Sequence, residues 1–160
     1  MIYGLTYLGV IHTLISLVAV AAALIAFVRE GAVNPGNTLG KLYIWTTVLT
    51  CVTGFGIFQH GGFGKPHALG VITLLVLAAA WKVNSVKVAT VLYSLTFLFH
   101  MIPAVTETTT RLPLGAPLLA DAEAPELKAI TGVLLLLFLI GVTLQLRRLK
   151  TPGKQMQTQA

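Results

Sequence analysis

Five stretches of this chain carry no charged side chain: Met1 to Val28, Leu42 to Gly64, Pro66 to Trp81, Val88 to Thr106 and Ala129 to Leu146. A helix needs about 17–25 apolar residues to cross a hydrocarbon core of about 30 Å. Each stretch reaches that length, the third with Lys82 and Val83 at its end. With 56% hydrophobic and 10% charged residues among 160, the chain reads as a membrane protein rather than a soluble globule. The expected fold class is all-α, an integral membrane bundle of about five transmembrane helices. The spans fall at about Gly4–Val28, Leu42–Gln59, Pro66–Val83, Val86–Val105 and Leu127–Leu146. Residues 1–150 then form a single transmembrane helical domain, and 151–160 a polar cytoplasmic tail.

The connections hold the expected helix breakers. Gly31-Ala32-Val33-Asn34-Pro35-Gly36 closes the first span, Gly61-Gly62-Phe63-Gly64-Lys65-Pro66 joins the second to the third, and Asn84-Ser85 turns the third into the fourth. Thr106 to Glu126 is the long connection, and Pro113, Pro117 and Pro125 predict an irregular loop there. Lysine and arginine set the orientation. With the N-terminus outside and the C-terminus inside, the inner segments hold Arg29, Lys41, Lys82, Lys87, Arg147, Arg148, Lys150 and Lys154, and the outer ones Lys65, Arg111 and Lys128. That asymmetry satisfies the positive-inside rule. Ala19-Val20-Ala21 resembles a signal-peptide cleavage site, but the run before it lacks a basic leader and is long enough to span, so it reads as a retained helix.

Composition also excludes functions. The pI near 9.8 comes from scattered basic residues at the edges of apolar runs, with no basic face interleaved with aromatics, so no nucleic acid is expected as partner. The expected surroundings are a lipid bilayer, membrane-protein partners or further copies of the chain. A single cysteine, Cys51, rules out an internal disulfide framework. No nucleotide loop, hydrolase elbow or paired catalytic carboxylates occur in a credible context, so no cofactor-independent enzyme is indicated.

What remains is histidine. His12, His60, His67 and His100 all fall towards the outer face under this topology, and ionisable groups at membrane depth are costly and tend to be functional. Counted from the span ends, His12 lies about 10–12 Å and His100 about 8 Å below the outer boundary, which predicts similar depths. Stripes of small and polar residues, Thr6, Gly9, Thr13 and Ser16 on the first helix and Tyr43, Thr47, Thr50 and Gly54 on the second, suit close helix contact. Tyr93, Phe97 and His100 align on the fourth, while the leucine-rich fifth reads as lipid-facing.

Two chemistries suit such a layer. Neutral imidazoles of His12 and His100 could hold haem b from opposite sides, making a redox protein at the outer face. Alternatively, His60 and His67, with Cys51 or Glu107, could bind or transport a transition metal. The plain reading is a non-catalytic membrane-complex subunit whose histidines bond across helices. If helix persists past Pro103, Glu107 stands two turns above His100 and Arg111 one turn further, a polar path for a proton or ion from the outer surface. The nearly apolar inner half argues against passage through the whole membrane.

His100-Met101-Ile102-Pro103-Ala104-Val105-Thr106-Glu107 with Thr108 to Pro113, together with Leu39-Gly40-Lys41-Leu42-Tyr43 and the following glycine and histidine loop, resembles a group of small bacterial inner-membrane proteins of unknown function. The resemblance covers roughly Gly4 to Leu146. It implies a multi-pass protein of the bacterial inner membrane and carries no activity, substrate or ligand. Members often place histidine or arginine just before the Leu-Gly-Lys-Leu-Tyr segment, where this chain has Asn37-Thr38.

Overall fold

A computed structural model describes residues 6–58 and 62–149, and among these all regular structure is helical. There are five helices: α1 (Tyr7–Arg29), α2 (Thr38–Gly54), α3 (Lys65–Lys82), α4 (Val86–Arg111) and α5 (Pro125–Leu149). Polar caps set their starts. Thr6 Oγ1 accepts from the Gly9 N–H at 3.0 Å, Asn37 Oδ1 from the Gly40 N–H at 2.8 Å, and Ser85 Oγ from the Val88 N–H at 3.4 Å. Pro66 sits in the first turn of α3, where its missing N–H costs no helix bond. Helix α1 stops at Gly31, whose φ of 81° suits a residue without Cβ.

Three helices, α1, α4 and α5, are long and apolar enough to cross a membrane. Their packing is sequential. Helices α1 and α2 form an extensively packed hairpin, α3 and α4 a second, and α2 joins them through α3. Helix α4 crosses α1 over a shorter stretch and carries α5, which packs against no other helix. One end of the bundle, here the upper end, gathers the start of α1, the finish of α2 and the start of α3. At the lower end the Arg148 guanidinium lies over Gly31.

The core lies along α1, α2 and α4. Ala19, Ala22, Ala23 and Ala26 of α1 are almost fully buried, and the largest fully buried side chains are Tyr43, Tyr93, Thr47 and Thr96. Large aliphatic side chains point outwards instead, including Leu14, Leu17, Leu75 and Leu135 to Leu137. Small and hydroxylic residues inside, with large apolar ones outside, is the pattern of helices that associate in lipid. No residue in the apolar window of α5 is buried, in keeping with a helix that faces lipid on most of its surface.

Two boundaries differ from expectation. Helix α2 ends at Gly54 rather than Gln59, because Gly54 and Gly56 weaken the last turn. Helix α4 runs through Pro103 to Arg111, six residues beyond the expected Val105. Proline removes one backbone bond, the one to the Phe99 carbonyl, and the helix resumes after it, with threonine hydroxyls adding second bonds to carbonyls of the following turns. Thr106 bonds the Ile102 carbonyl at 2.9 Å, and Thr108, Thr109 and Thr110 bond the carbonyls of Ala104, Val105 and Thr106 at 2.7–2.9 Å. The irregular connection is therefore confined to residues 112–124, and it folds back on α4 through the Leu119 N–H to the Thr109 carbonyl at 3.0 Å.

Candidate functional site

His12 is half-buried on α1, and its Nδ1 lies 3.1 Å from Thr53 Oγ1 on α2. Thr53 Oγ1 also lies 2.7 Å from the Leu49 carbonyl; with its proton directed there the oxygen accepts from His12 Nδ1–H, the tautomer that leaves a lone pair on Nε2. Gly54 makes the approach possible, since a Cβ there would stand 3.2 Å from His12 Cε1.

His100 reaches the same state by another route. Its Nδ1 lies 3.2 Å from the Thr96 carbonyl one turn back on α4, and a carbonyl only accepts. Nδ1 thus carries the proton and Nε2 the lone pair. That Nε2 is buried without a hydrogen-bond partner among the described residues. Beside it the ring of Tyr43 is tilted at 49° with centroids 6.2 Å apart. Tyr43 and Thr96 share a 2.7 Å hydroxyl bond, and both hydroxyls also reach the Tyr93 carbonyl, Thr96 at 2.8 Å and Tyr43 at 3.4 Å.

The expected equal depth is not what the helices deliver. His12 stands five residues below the upper end of α1, about 7.5 Å, whereas His100 stands eleven residues below the upper end of α4, about 16 Å. Their partners on α2 step in the same sense: Thr53 contacts His12, and the ring of Tyr43, ten residues earlier, lies beside His100. The extra turn and a half of α4 beyond Val105 accounts for the discrepancy. The two imidazoles thus occupy successive levels below the Glu107 carboxylate. Glu107 is exposed at the rim and ion-paired with Arg111 one turn further up. Descending from the upper end, the order is Glu107 with Arg111, His12 with Thr53, His100 with Thr96, then Tyr43 and Tyr93.

The remaining expected ligands stand elsewhere. His67 opens α3, stacked between Phe58 and Phe63 at 5.0 and 5.1 Å, with Nδ1 accepting the Gly64 N–H at 3.2 Å. It is thus a helix-capping, ring-stacked residue. Cys51 is a free, buried thiol on the α2 face that packs into the core. His60 lies outside the described residues. Among the described residues no group of three or more His, Cys, Asp or Glu is placed to hold a metal ion. A cavity of about 220 Å³ opens near the upper end, lined by Thr6, Gly56, Ile57 and Phe58, and touches neither His12 nor His100.

Sequence reading missed Thr53 and Thr96, the two residues that fix the imidazoles. Thr96 carries a signal, the four-residue spacing to His100 that brings a carbonyl under an imidazole on one helix face. Thr53 carries none, because its partner sits on another helix. The chain matches no protein-family model, no curated protein and no solved structure.

Proposed function

We propose that this is a multi-pass protein of a bacterial inner membrane, with five spans, the N-terminus outside, and a one-sided proton path leading from the outer face into its core. Helices α2 and α3, of 17 and 18 residues, lie alongside longer neighbours and reach about 25–27 Å, close to a hydrocarbon thickness. The lysine and arginine asymmetry supports the orientation. Cysteines introduced at Gly36 and Leu118 test it: an impermeant reagent added outside should label the second and spare the first, and the reverse result overturns it.

The proton path rests on one observation. Two imidazoles with their Nδ1–H groups held by oxygen descend in steps beneath an ionisable rim. Glu107 exchanges protons with water, His12 takes them on Nε2, and His100 lies one level deeper. Below His100 come Tyr43, Tyr93 and the close-packed alanines of α1, which close the path on the inner side. Histidine suits this work because its two nitrogens accept and release protons near neutral pH. Nitrogen-15 spectra of the histidines in sealed vesicles test the idea. A change of external pH alone should shift the His100 resonances, and His12→Phe should abolish the response. A response to internal pH, or one indifferent to His12→Phe, refutes it.

A second reading keeps the same residues as ligands. Each Nε2 offers the lone pair that haem iron or a transition-metal ion takes, and each Nδ1–H is held as ligating imidazoles are usually held. Bound haem b would supply one-electron chemistry. Its iron needs facing nitrogens about 4 Å apart, given bonds near 2 Å, so α1 and α4 would have to slide by more than one turn. The stepped arrangement favours the proton path for that reason. Protein purified with ample haem and metal supply decides between them. A Soret band or bound metal lost in both His12→Ala and His100→Ala supports the ligand reading, and colourless, metal-free protein dismisses it.

A further inference from the structure

We propose that the lower rim of the bundle is a docking surface for anionic phospholipid headgroups, with Arg148 as its anchoring contact on a lipid phosphodiester. The inference rests on the multi-pass reading and is independent of the proton path. The alternation of the helices brings the ends of α1, α3 and α5 and the starts of α2 and α4 to this rim. Each contributes basic side chains in its nearest turn: Arg29, Lys41, Lys82, Lys87, Arg147 and Arg148, all exposed. Among the described residues of this rim the one acid is Glu30. Its Oε2 accepts from the Asn37 amide at 2.7 Å, and Asn37 Oδ1 in turn caps Gly40, so this carboxylate is built into the start of α2. The upper rim is arranged differently. There Lys65 and Arg111 are ion-paired with Glu123 and Glu107, and Asp121 and Glu126 stand in the same segments.

Arg148 is the most closely defined of the six. Helix α5 packs along α4 and not on α1, yet Arg148 Nη1 stands 2.9 Å from the point that a Cβ on Gly31 would occupy. The guanidinium is thus laid against the loop between α1 and α2. Among the described residues nothing accepts a hydrogen bond from it. A guanidinium offers five N–H donors in a planar fork that matches two phosphate oxygens. Its level is that of the headgroups. Arg148 is the penultimate residue of α5, and Trp81 the penultimate residue of α3. Trp81 is 81% exposed, and indole rings settle at the membrane–water interface. Basic side chains at that level attract lipids of net negative charge.

Native mass spectrometry of the full-length protein, released from vesicles of equimolar phosphatidylglycerol and phosphatidylcholine, tests the proposal. Phosphatidylglycerol should be retained in preference. Arg148→Gln should lower that preference about fivefold, the weight of one basic residue at an anionic surface. Lys128→Gln, the same change of charge at the opposite end of α5, should leave it unaltered. Equal retention of the two lipids, or an equal loss in both variants, overturns the proposal. Should Arg148→Gln fail to insert, photoactivatable phosphatidylglycerol on the native protein decides. Adducts on the last turn of α5 and the loop between α1 and α2 support the site, and adducts confined to the upper rim refute it. The outcome is separable from that of the topology. A lipid preference lost in Arg148→Gln, with the Gly36 and Leu118 labels reversed, keeps the site and turns it to the outer leaflet. The expected labelling with no preference sinks only the lipid site.

Discussion

Thr53 gives its proton to the Leu49 carbonyl at 2.7 Å and presents its oxygen to His12 Nδ1 at 3.1 Å, so one hydroxyl joins two helices and selects a tautomer. Replacing it with the near-isosteric Thr53→Val removes the acceptor and keeps the shape. The expected result is a mixture of His12 tautomers in nitrogen-15 spectra, with the His100 tautomer unchanged because its carbonyl partner remains. Bundle stability should fall by about 0.6–1.7 kcal/mol, the range of hydrogen bonds between membrane helices.

Glycine positions separate tight from loose contacts. A Cβ at Gly40 would stand 1.8 Å from the Asn34 carbonyl oxygen, whereas one at Gly132 meets nothing within 4 Å. Gly40→Ala should cost more than about 2 kcal/mol, since backbone must move. Gly132→Ala should leave stability unchanged or raise it by about 0.5 kcal/mol through helix propensity. Unfolding in mixed detergent measures both.

Lys65 Nζ lies 2.6 Å from Glu123 Oε1 and ties the loop before α5 to the start of α3. The ammonium group, through its hydrogen bond and its charge, lowers the Glu123 pKa below its ordinary 4.5. A carboxylate depressed in the folded state contributes above its unfolded value and loses that contribution as the pH falls through the folded one. The loop should therefore stay attached at neutral pH and loosen only below about the ordinary carboxylate range. Proteolysis of residues 112–124 across that range checks this, and Glu123→Gln should make cleavage independent of pH there.

Ser94 Oγ donates to Gln145 Oε1 at 2.8 Å, a polar link between α4 and α5. Ser94→Ala should loosen α5 by about 0.6 kcal/mol. Distance measurements between spin labels on α4 and α5 should broaden, and those between α1 and α2 should not.

All five helices were legible in the sequence because lipid forbids charge and demands internal backbone bonding, so a charge-free run admits few other readings. Their ends were less so. Pro103 signals termination by its chemistry, yet it removes a single backbone bond and the helix continues past it to Arg111. That oversight carried directly into the site, since the depth of His100 was counted from a terminus that was not there. The stripe of Tyr43, Thr47 and Thr50 on α2 was readable by spacing and is buried as expected. On α1 the buried face holds Gly9 of the expected stripe and, beyond it, Ala19, Ala22, Ala23 and Ala26, which a nearly uniform apolar helix does not distinguish from its lipid face. The pairing of His12 with Thr53 joins residues 41 positions apart, and no local pattern encodes it.

The threonines of the core have one habit with a wider result. Thr47, Thr50, Thr53, Thr73, Thr90 and Thr96 each direct their proton at a carbonyl of their own helix. What they turn towards neighbouring helices is lone-pair density. A threonine held in this way can take a hydrogen bond from a neighbouring helix but has no proton to give, so polar pairing between helices through these residues must bring its proton from the other side.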